Sequence, residues 1–430
     1  MPVHRRAVLQ SAGLSASLAA LGLAKSGFAQ GAASKAQVVV IGGGFGGATA
    51  AKYVRLLSNY KISVMLIEPA ESFVSCPMSN LVVGGLKGMD YITLPYSSLA
   101  KNHGVTVVRD SAKSIDASKR TVTLTNGSFI NYDKLVVAPG IDMMLDSIEG
   151  FKAANRAGQI VHAWKAGAET LTLRKQIEAM QDGGTFAITI PTLPYRCPPA
   201  PYERASLVAA YFKAVKPKSK VLVLDSNPDV TSKSELFKKA WAEQYAGMLE
   251  YRPDHKVTGV NGQSGAVQFE VQDDAHADVV NALPDMRAGL IAVNAGLANM
   301  ANGRWCGVNF QTFESTVAKD VFVIGDSIQI APLMPKSGHM ANSQAKVTAA
   351  AIVQQLADKD VNPLPTLANT CYSFVNGRDA VHVSSRHEYV ASEKTFKLVA
   401  SANELSSAAS AQEGVAAAGW ASGVWADILM

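Results

Sequence analysis

Six residues, Gly42-Gly43-Gly44-Phe45-Gly46-Gly47, constrain this chain more than any other segment. Gln37-Val38-Val39-Val40-Ile41 before them is a short β-branched run that reads as a buried parallel strand, and Ala48 to Leu57 after them reads as a helix. In the spacing Gly42-x-Gly44-x-x-Gly47 the first glycine permits the tight turn and the second lets the backbone approach a pyrophosphate. The third lets helix and strand pack closely. The helix start then offers free N–H groups and a positive dipole end to phosphates. A second strand, Ile62 to Ile67, ends at Glu68, about 20 residues past the glycines, where an acid takes ribose hydroxyls. A tight strand–helix turn with no ligand needs the glycines but not the acid. A bound dinucleotide is expected, touched by Gly42, Gly44, Gly47 and Glu68.

Which dinucleotide follows from later segments. Val105-Thr106-Val107-Val108, a hairpin-like Lys119 to Leu124 with Asn126-Gly127 as its turn, and Leu135-Val136-Val137-Ala138-Pro139-Gly140 come next in order. The last resembles the strand and glycine turn that close the FAD domain of flavoprotein disulfide reductases. Far downstream, Val321-Phe322-Val323-Ile324-Gly325-Asp326 resembles that superfamily's second FAD signature, in which the aspartate binds the ribityl chain. Two separated segments completing one site argue for FAD over NAD. They add Val107, Pro139, Gly140, Gly325 and Asp326 to the expected cofactor contacts.

The same superfamily inserts a second nucleotide-binding domain between those segments, here from about Phe151. Its expected first strand is Thr185-Phe186-Ala187-Ile188-Thr189-Ile190, yet the turn that follows, Pro191-Thr192-Leu193-Pro194-Tyr195-Arg196-Cys197-Pro198-Pro199, has no glycine. Prolines lack N–H donors, and side chains at every position hold a pyrophosphate off the backbone. The insert reads as a degenerate α/β domain that does not take NAD(P)H, with Lys220 to Asp225 as a further strand and Val279 to Pro284 returning the chain.

The N-terminus, Met1 to about Ala33, carries Arg5-Arg6, an uncharged small-apolar run from Ala7 to Ala24, then Gly27-Phe28-Ala29. That order is a signal peptide, and the paired arginines resemble a twin-arginine signal, which exports folded proteins; an ordinary secretory signal is the alternative. The run is shorter than the roughly 20 residues of a spanning helix, so no transmembrane anchor is expected. Removing Arg5, Arg6 and Lys25 takes the formal charge from +5 to about +2, which offers nothing for nucleic acid. Four cysteines, Cys76, Cys197, Cys306 and Cys371, are too few for a disulfide scaffold but enough for one functional pair. No Cys-x-x-Cys-His attaches a c-type haem, and no spacing suits a metal.

If NADH is not the reductant, another donor must reduce the flavin. Cys197 occupies the turn that lost its glycines, and Cys371 lies in Asn369-Thr370-Cys371-Tyr372-Ser373. A disulfide in a flavin site can be opened by a thiolate or hydrosulfide, freeing a sulfur to pass two electrons on. The residues alone favour a structural disulfide or two buried thiols, and connectivity is not legible in spacing.

Five segments together resemble the flavoprotein subunit of flavocytochrome c sulfide dehydrogenase: Ser75-Cys76-Pro77-Met78-Ser79-Asn80, Arg196 to Ala205, Thr312-Phe313-Glu314-Ser315, Met334-Pro335-Lys336-Ser337-Gly338 with Ala341-Asn342-Ser343-Gln344, and Asn369 to Ser373. The resemblance implies that Cys76 holds FAD covalently through its 8α-methyl group. It further implies that Cys197 and Cys371 form a redox-active disulfide and that Glu203 is a nearby acid/base carboxylate. It implies a separate c-type cytochrome subunit in a heterodimer, with hydrosulfide as substrate. Lys336-Ser337-Gly338, at a helix start running His339 to about Leu356, would place N–H groups and positive charge near the flavin; an ordinary capped helix is the competing reading. Cys306 is expected to be structural and no histidine is given a role. Past residue 376 little matches beyond Trp420 and Trp425.

The expected architecture is α/β, two Rossmann-like domains of glutathione-reductase type plus a small C-terminal α+β interface domain. Residues 36–150 with 285–358 form the FAD domain, 151–284 the degenerate insert and 359–430 the capping region, where Ala400 to Ala418 reads as loop or plain helix. Two other functions stay open: a sulfide:quinone oxidoreductase, or a periplasmic thiol/disulfide-exchange flavoprotein that reactivates a sulfur-oxidising partner.

Overall fold

The computed structural model describes residues 36–430; the signal-peptide reading of residues 1–33 lies outside them. The strand Gln37–Ile41 sits inside a seven-stranded sheet, hydrogen-bonded in parallel to Ser63–Ile67 on one side and Lys134–Val137 on the other. Val38, Val39 and Val40 are fully buried. A strand covered on both faces needs apolar residues at every position rather than at alternate ones, which is why this stretch is a run. Thr106–Val108 and Val321–Val323 extend the parallel sheet, and Glu314–Ser315 with Val308–Asn309 turn back antiparallel at one edge. Strands from both ends of the chain therefore share one sheet. Helices Phe45–Leu57 and Gly338–Leu356 pack on each other across it. The Asn126-Gly127 turn joins the last two strands of an antiparallel meander, with Gly127 at φ 86°.

Between these halves lies a second, all-parallel sheet in the order Leu249–Arg252, Lys220–Asp225, Thr185–Ile190, Val279–Ala282. Helix Ala200–Val215 follows its first strand. The expected α/β class with two Rossmann-like sheets is the one observed.

The C-terminal region is an antiparallel sheet of Thr366–Phe374, Ala380–Val390 and Thr395–Leu398, followed by helix Ala411–Leu429. The Ala/Ser-rich stretch divides: helix begins only at Ala411, where the Ser410 side chain accepts the Glu413 N–H at 3.2 Å. This helix is long and apolar on one side, yet among the described residues no helix is long and apolar enough to cross a membrane. Its last turn is pinned to the first domain. Lys52 Nζ donates to the Asp427 carbonyl at 2.9 Å, and Tyr53 and Asn342 donate to the Asp427 carboxylate at 2.6 and 2.8 Å.

Candidate active site

One cleft gathers the glycine loop, three cysteines and the C-terminal cover. It encloses about 1510 Å³ of empty space, mouth included, and is lined by Gly42 to Gly46, Glu68, Cys76, Pro139, Gly140, Arg196, Cys197, Glu203, Gly325, Asp326, Ser337, Gly338, Cys371 and Trp420, among others.

The loop's glycines divide their work as the spacing demands. Gly42 takes φ 93°, and a side chain there would run into the Ala138 carbonyl. A Cβ on Gly47 would drive into the carbonyl of Gly42. At Gly44 a Cβ meets nothing within 4 Å, so this position opens onto the space a pyrophosphate would fill. Glu68 accepts the Gly43 N–H at 2.6 Å and the Ala70 N–H at 2.8 Å, which fixes its carboxylate at the loop. Asp326 supplies the sharpest fit to a cofactor. The residue is half-buried, but its Oδ1 is shut off from solvent with no hydrogen-bond partner, although buried polar atoms are rarely left so. Burial pushes its pKa up, against the pull of Arg196 and Lys336. A polyol chain would satisfy that oxygen. These residues fit an FAD.

Two expected contacts are corrected. Lys336 does not point into the cleft: its ammonium donates to the carbonyls of Asp326 and Ile328 at 2.8 and 2.6 Å and lies 3.6 Å from the centre of the Trp305 ring. It braces the Gly325-Asp326 turn from behind, where carbonyls and a π face are the available partners for a buried cation. Val107 is a sheet residue that does not line the cleft. Ser337 and Gly338 do line it, with Ser337 Oγ donating to Asn369 at 2.6 Å and accepting from Met340 N at 3.0 Å.

The cysteines enter from three directions. Cys76 Sγ accepts the Ala166 N–H at 3.4 Å. Cys197 sits at φ 56°, a left-handed conformation that costs a non-glycine residue about 1–3 kcal/mol. Its N–H is tied to the Lys336 carbonyl at 2.8 Å. Pro198 and Pro199 then lead into helix Ala200–Val215. Cys371 comes from the C-terminal sheet. Cys197 and Cys371 stand here as thiols, so the implied bridge is not formed. They are nevertheless close enough that charge on one opposes charge on the other; burial, with Cys371 and Glu203, drives the Cys197 pKa up, and burial raises that of Cys371 while Lys233 and a hydrogen bond with Asn369 oppose it. Cys306 is fully buried away from them, as expected.

Glu203 and Arg204 are both buried in the first turn and a half of their helix. Glu203 accepts from Asn80 Nδ2 at 2.7 Å and from the Phe374 N–H at 2.9 Å. Burial raises its pKa, and those hydrogen bonds hold it back. Arg204 donates to Asn80 Oδ1, Asn281 Oδ1 and the Ala163 carbonyl at 2.8 to 2.9 Å. Burial lowers its pKa to about 10 while Glu203 pulls it up.

The second nucleotide loop is closed on two counts. Its turn is proline-rich, and the acid at the end of the next strand, Asp225, is committed: Tyr202 and Tyr251 donate to Oδ2 at 2.6 and 3.1 Å, and Asn227 donates to Oδ1 at 2.7 Å from its side chain. No carboxylate oxygen is left free for a ribose.

Sequence reading overlooked Arg196, Lys233, His339 and Asn80. His339 Nδ1 accepts the Thr370 N–H at 2.9 Å, which assigns its proton to Nε2 on the cleft wall, and burial lowers its pKa. Asn80 lay within a quoted motif, and Arg196 is the neighbour of Cys197; the other two carry no local signal.

Comparison with known proteins agrees with this geometry. Residues 36–175 match the pyridine nucleotide-disulphide oxidoreductase family. Residues 170–284 match the central region of the sulfide dehydrogenase [flavocytochrome c] flavoprotein chain, and residues 363–429 the flavin-binding region of flavocytochrome c sulphide dehydrogenase. The chain is 61% identical over 46 residues to the sulfide dehydrogenase [flavocytochrome c] flavoprotein chain of Chlorobaculum thiosulfatiphilum, covering 11% of this chain and 94% of that sequence. It is 24% identical over 327 residues to the mitochondrial sulfide:quinone oxidoreductase of Dictyostelium discoideum, covering 74% of this chain and 68% of that one. The solved sulfide:quinone oxidoreductase of Aquifex aeolicus superposes with a TM-score of 0.76 at 21% identity, over 91% of each chain, and shares the fold. With both flavoprotein-chain regions matched, and with 61% identity to a curated sequence covered over 94% of its length, the chain belongs to the family of flavocytochrome c sulfide dehydrogenase flavoprotein chains.

Proposed function

We propose that this chain is an FAD-dependent sulfide dehydrogenase that oxidises hydrosulfide at Cys197 and Cys371 and delivers the electrons to a separate c-type cytochrome subunit. The observation that carries the reading is the sharing of one cleft by the dinucleotide cradle and both thiols, while the position where NADH would dock is blocked. In the oxidised pair, hydrosulfide attacks one sulfur of the bridge; a new S–S bond forms as the old one breaks, leaving a cysteine persulfide and a thiolate. Held by these residues, an FAD would supply two-electron acceptance with single-electron release, which suits a haem acceptor. Glu203, which lines the same cleft and has its pKa raised by burial, is the carboxylate for holding or returning a proton in this proposal. Cys76, on the same wall, is the residue for covalent attachment of FAD. The cytochrome heterodimer and a periplasmic location reached by the twin-arginine route belong to the same proposal, as does the division into an FAD domain (36–150, 285–358), an insert (151–284) and a capping region (359–430).

Anaerobic addition of micromolar sulfide to the flavin-loaded protein should bleach the flavin, and Cys197→Ser and Cys371→Ser should each abolish the change. No bleaching in the unaltered protein would rule the reading out. Mass measurement of the denatured Cys76 peptide should show a flavin adduct. The likeness to a sulfide:quinone oxidoreductase over 74% of this chain favours quinone as the second acceptor to test. Faster reoxidation by a soluble quinone than by cytochrome c would choose it.

A further inference from the structure

Lys233 is a buried lysine in an unusual place. It takes φ 58°, at the start of helix Ser234–Gln244, and its side chain runs back under the C-terminal sheet. There its ammonium donates to the Cys371 carbonyl at 2.8 Å and to Ser373 Oγ at 2.9 Å. Both partners are neutral, and among the described residues Lys233 makes no ion pair within 4.0 Å with a carboxylate. The anionic groups whose charge it feels are Cys371, Glu203, Cys197 and, last, Glu413. Burial of a cation without a matched anion is costly. Glu203, the carboxylate with the stronger pull on Lys233, is itself bound by neutral donors, Asn80 and the Phe374 N–H. The anion that completes this site is therefore one that exists only when the cysteine pair is open.

We infer that Lys233 is the positioning residue that stabilises the thiolate released at Cys371 and thereby sets the redox poise of the Cys197/Cys371 pair. This rests on the reading of those two cysteines as a redox couple. Opening the bridge with a thiolate RS⁻ gives one mixed disulfide and one cysteine thiolate, so one negative charge enters the cleft wall for each bond exchanged, and a second thiolate completes the reduction as RSSR leaves. An ammonium fixed beside Cys371 favours that charge, stabilises the reduced pair and makes the bridge a stronger oxidant toward hydrosulfide, as stabilisation of a reduced thiol pair does generally. It also favours an anionic substrate over a neutral one.

The test is equilibration of the flavin-loaded protein with glutathione buffers at pH 7, followed by acid quench and mass counting of Cys197 and Cys371 thiols. Lys233→Met and the more nearly isosteric Lys233→Gln should shift the pair toward disulfide by at least tenfold, equivalent to about 30 mV for two electrons. Lys233→Arg should restore most of the shift. Alkylation of the reduced protein should modify Cys371 before Cys197, and the variants should slow Cys371 selectively. A midpoint unchanged in both neutral variants, with flavin content retained, overturns the role of Lys233. A failure of the unaltered protein to form any Cys197–Cys371 disulfide in oxidised glutathione would instead strike at the redox-couple reading itself. Should one neutral variant not fold, the other and the alkylation order decide.

Discussion

Asn80 hands one hydrogen bond to Glu203 at 2.7 Å and takes one from Arg204 at 2.9 Å, so a single amide holds two oppositely charged, buried side chains that are neighbours on one helix. Hydrogen bonds to charged groups are worth about 1.5–3 kcal/mol each, and leaving such groups unsatisfied in the interior costs more than the bond itself. Asn80→Ala should lower the unfolding free energy by ~3 kcal/mol, read from the denaturant midpoint at unchanged m-value. Asn80→Asp, which keeps the Arg204 contact but repels Glu203, should do no better.

Two glycines of the same loop should respond differently. Gly47→Ala forces a side chain into the Gly42 carbonyl, and overpacking against backbone costs up to about 3 kcal/mol; the apoprotein itself should melt lower. Gly44→Ala meets no protein atom. Its apoprotein should melt with the unaltered one, while FAD retention on a desalting column falls. Equal melting losses in both variants would contradict this division.

NADH or NADPH should leave the flavin oxidised over the time in which sulfide bleaches it. Restoring a glycine in the proline-rich turn should not create that activity, because Asp225 is occupied by Tyr202, Tyr251 and Asn227. Anaerobic absorbance with each donor decides the matter.

Lys336 should leave a signature in alkaline stability. Burial lowers its pKa from 10.5 to about 7, with Asp326 opposing. Between those values the unfolded chain holds the proton that the folded chain has given up. The unfolded state then binds more protons, so stability from this group rises with pH from about 7 to 10.5 and its penalty is fully felt below 7. Lys336→Met should flatten the unfolding free energy across that window, measured by chemical denaturation at several pH values.

The elements most legible in the sequence are those whose requirements are local. Gly42 needs a positive φ and Gly47 a missing side chain, and neither need depends on anything distant except the strand and helix they join. Val38 to Val40 announce a doubly covered strand for the same reason. Lys336 was misread because a helix start tells where a backbone N–H points but not where a long flexible side chain goes; Trp305 and the Ile328 carbonyl decide that, and nothing near Lys336 in sequence names them. Glu203 and Arg204 are adjacent on a helix, so burial of both requires partners on two faces, which Asn80, Asn281, the Phe374 N–H and the Ala163 carbonyl supply from distant parts of the chain. Lys233 carries no motif at all. Its importance comes from Cys371 and Ser373, well over a hundred residues later.

The last turn of the chain is locked onto the first domain through Asp427, Lys52 and Tyr53, while Trp420 on the same helix forms part of the cleft wall. The cleft is therefore finished by a helix that follows the glycine loop by well over three hundred residues. Cofactor loading has a natural order: a dinucleotide can enter an open cradle before helix Ala411–Leu429 docks, but the walled chamber exists only once it has docked. Under the export of the folded protein proposed above, that order would put cofactor acquisition in the cytoplasm and make the closing helix the step that seals it in.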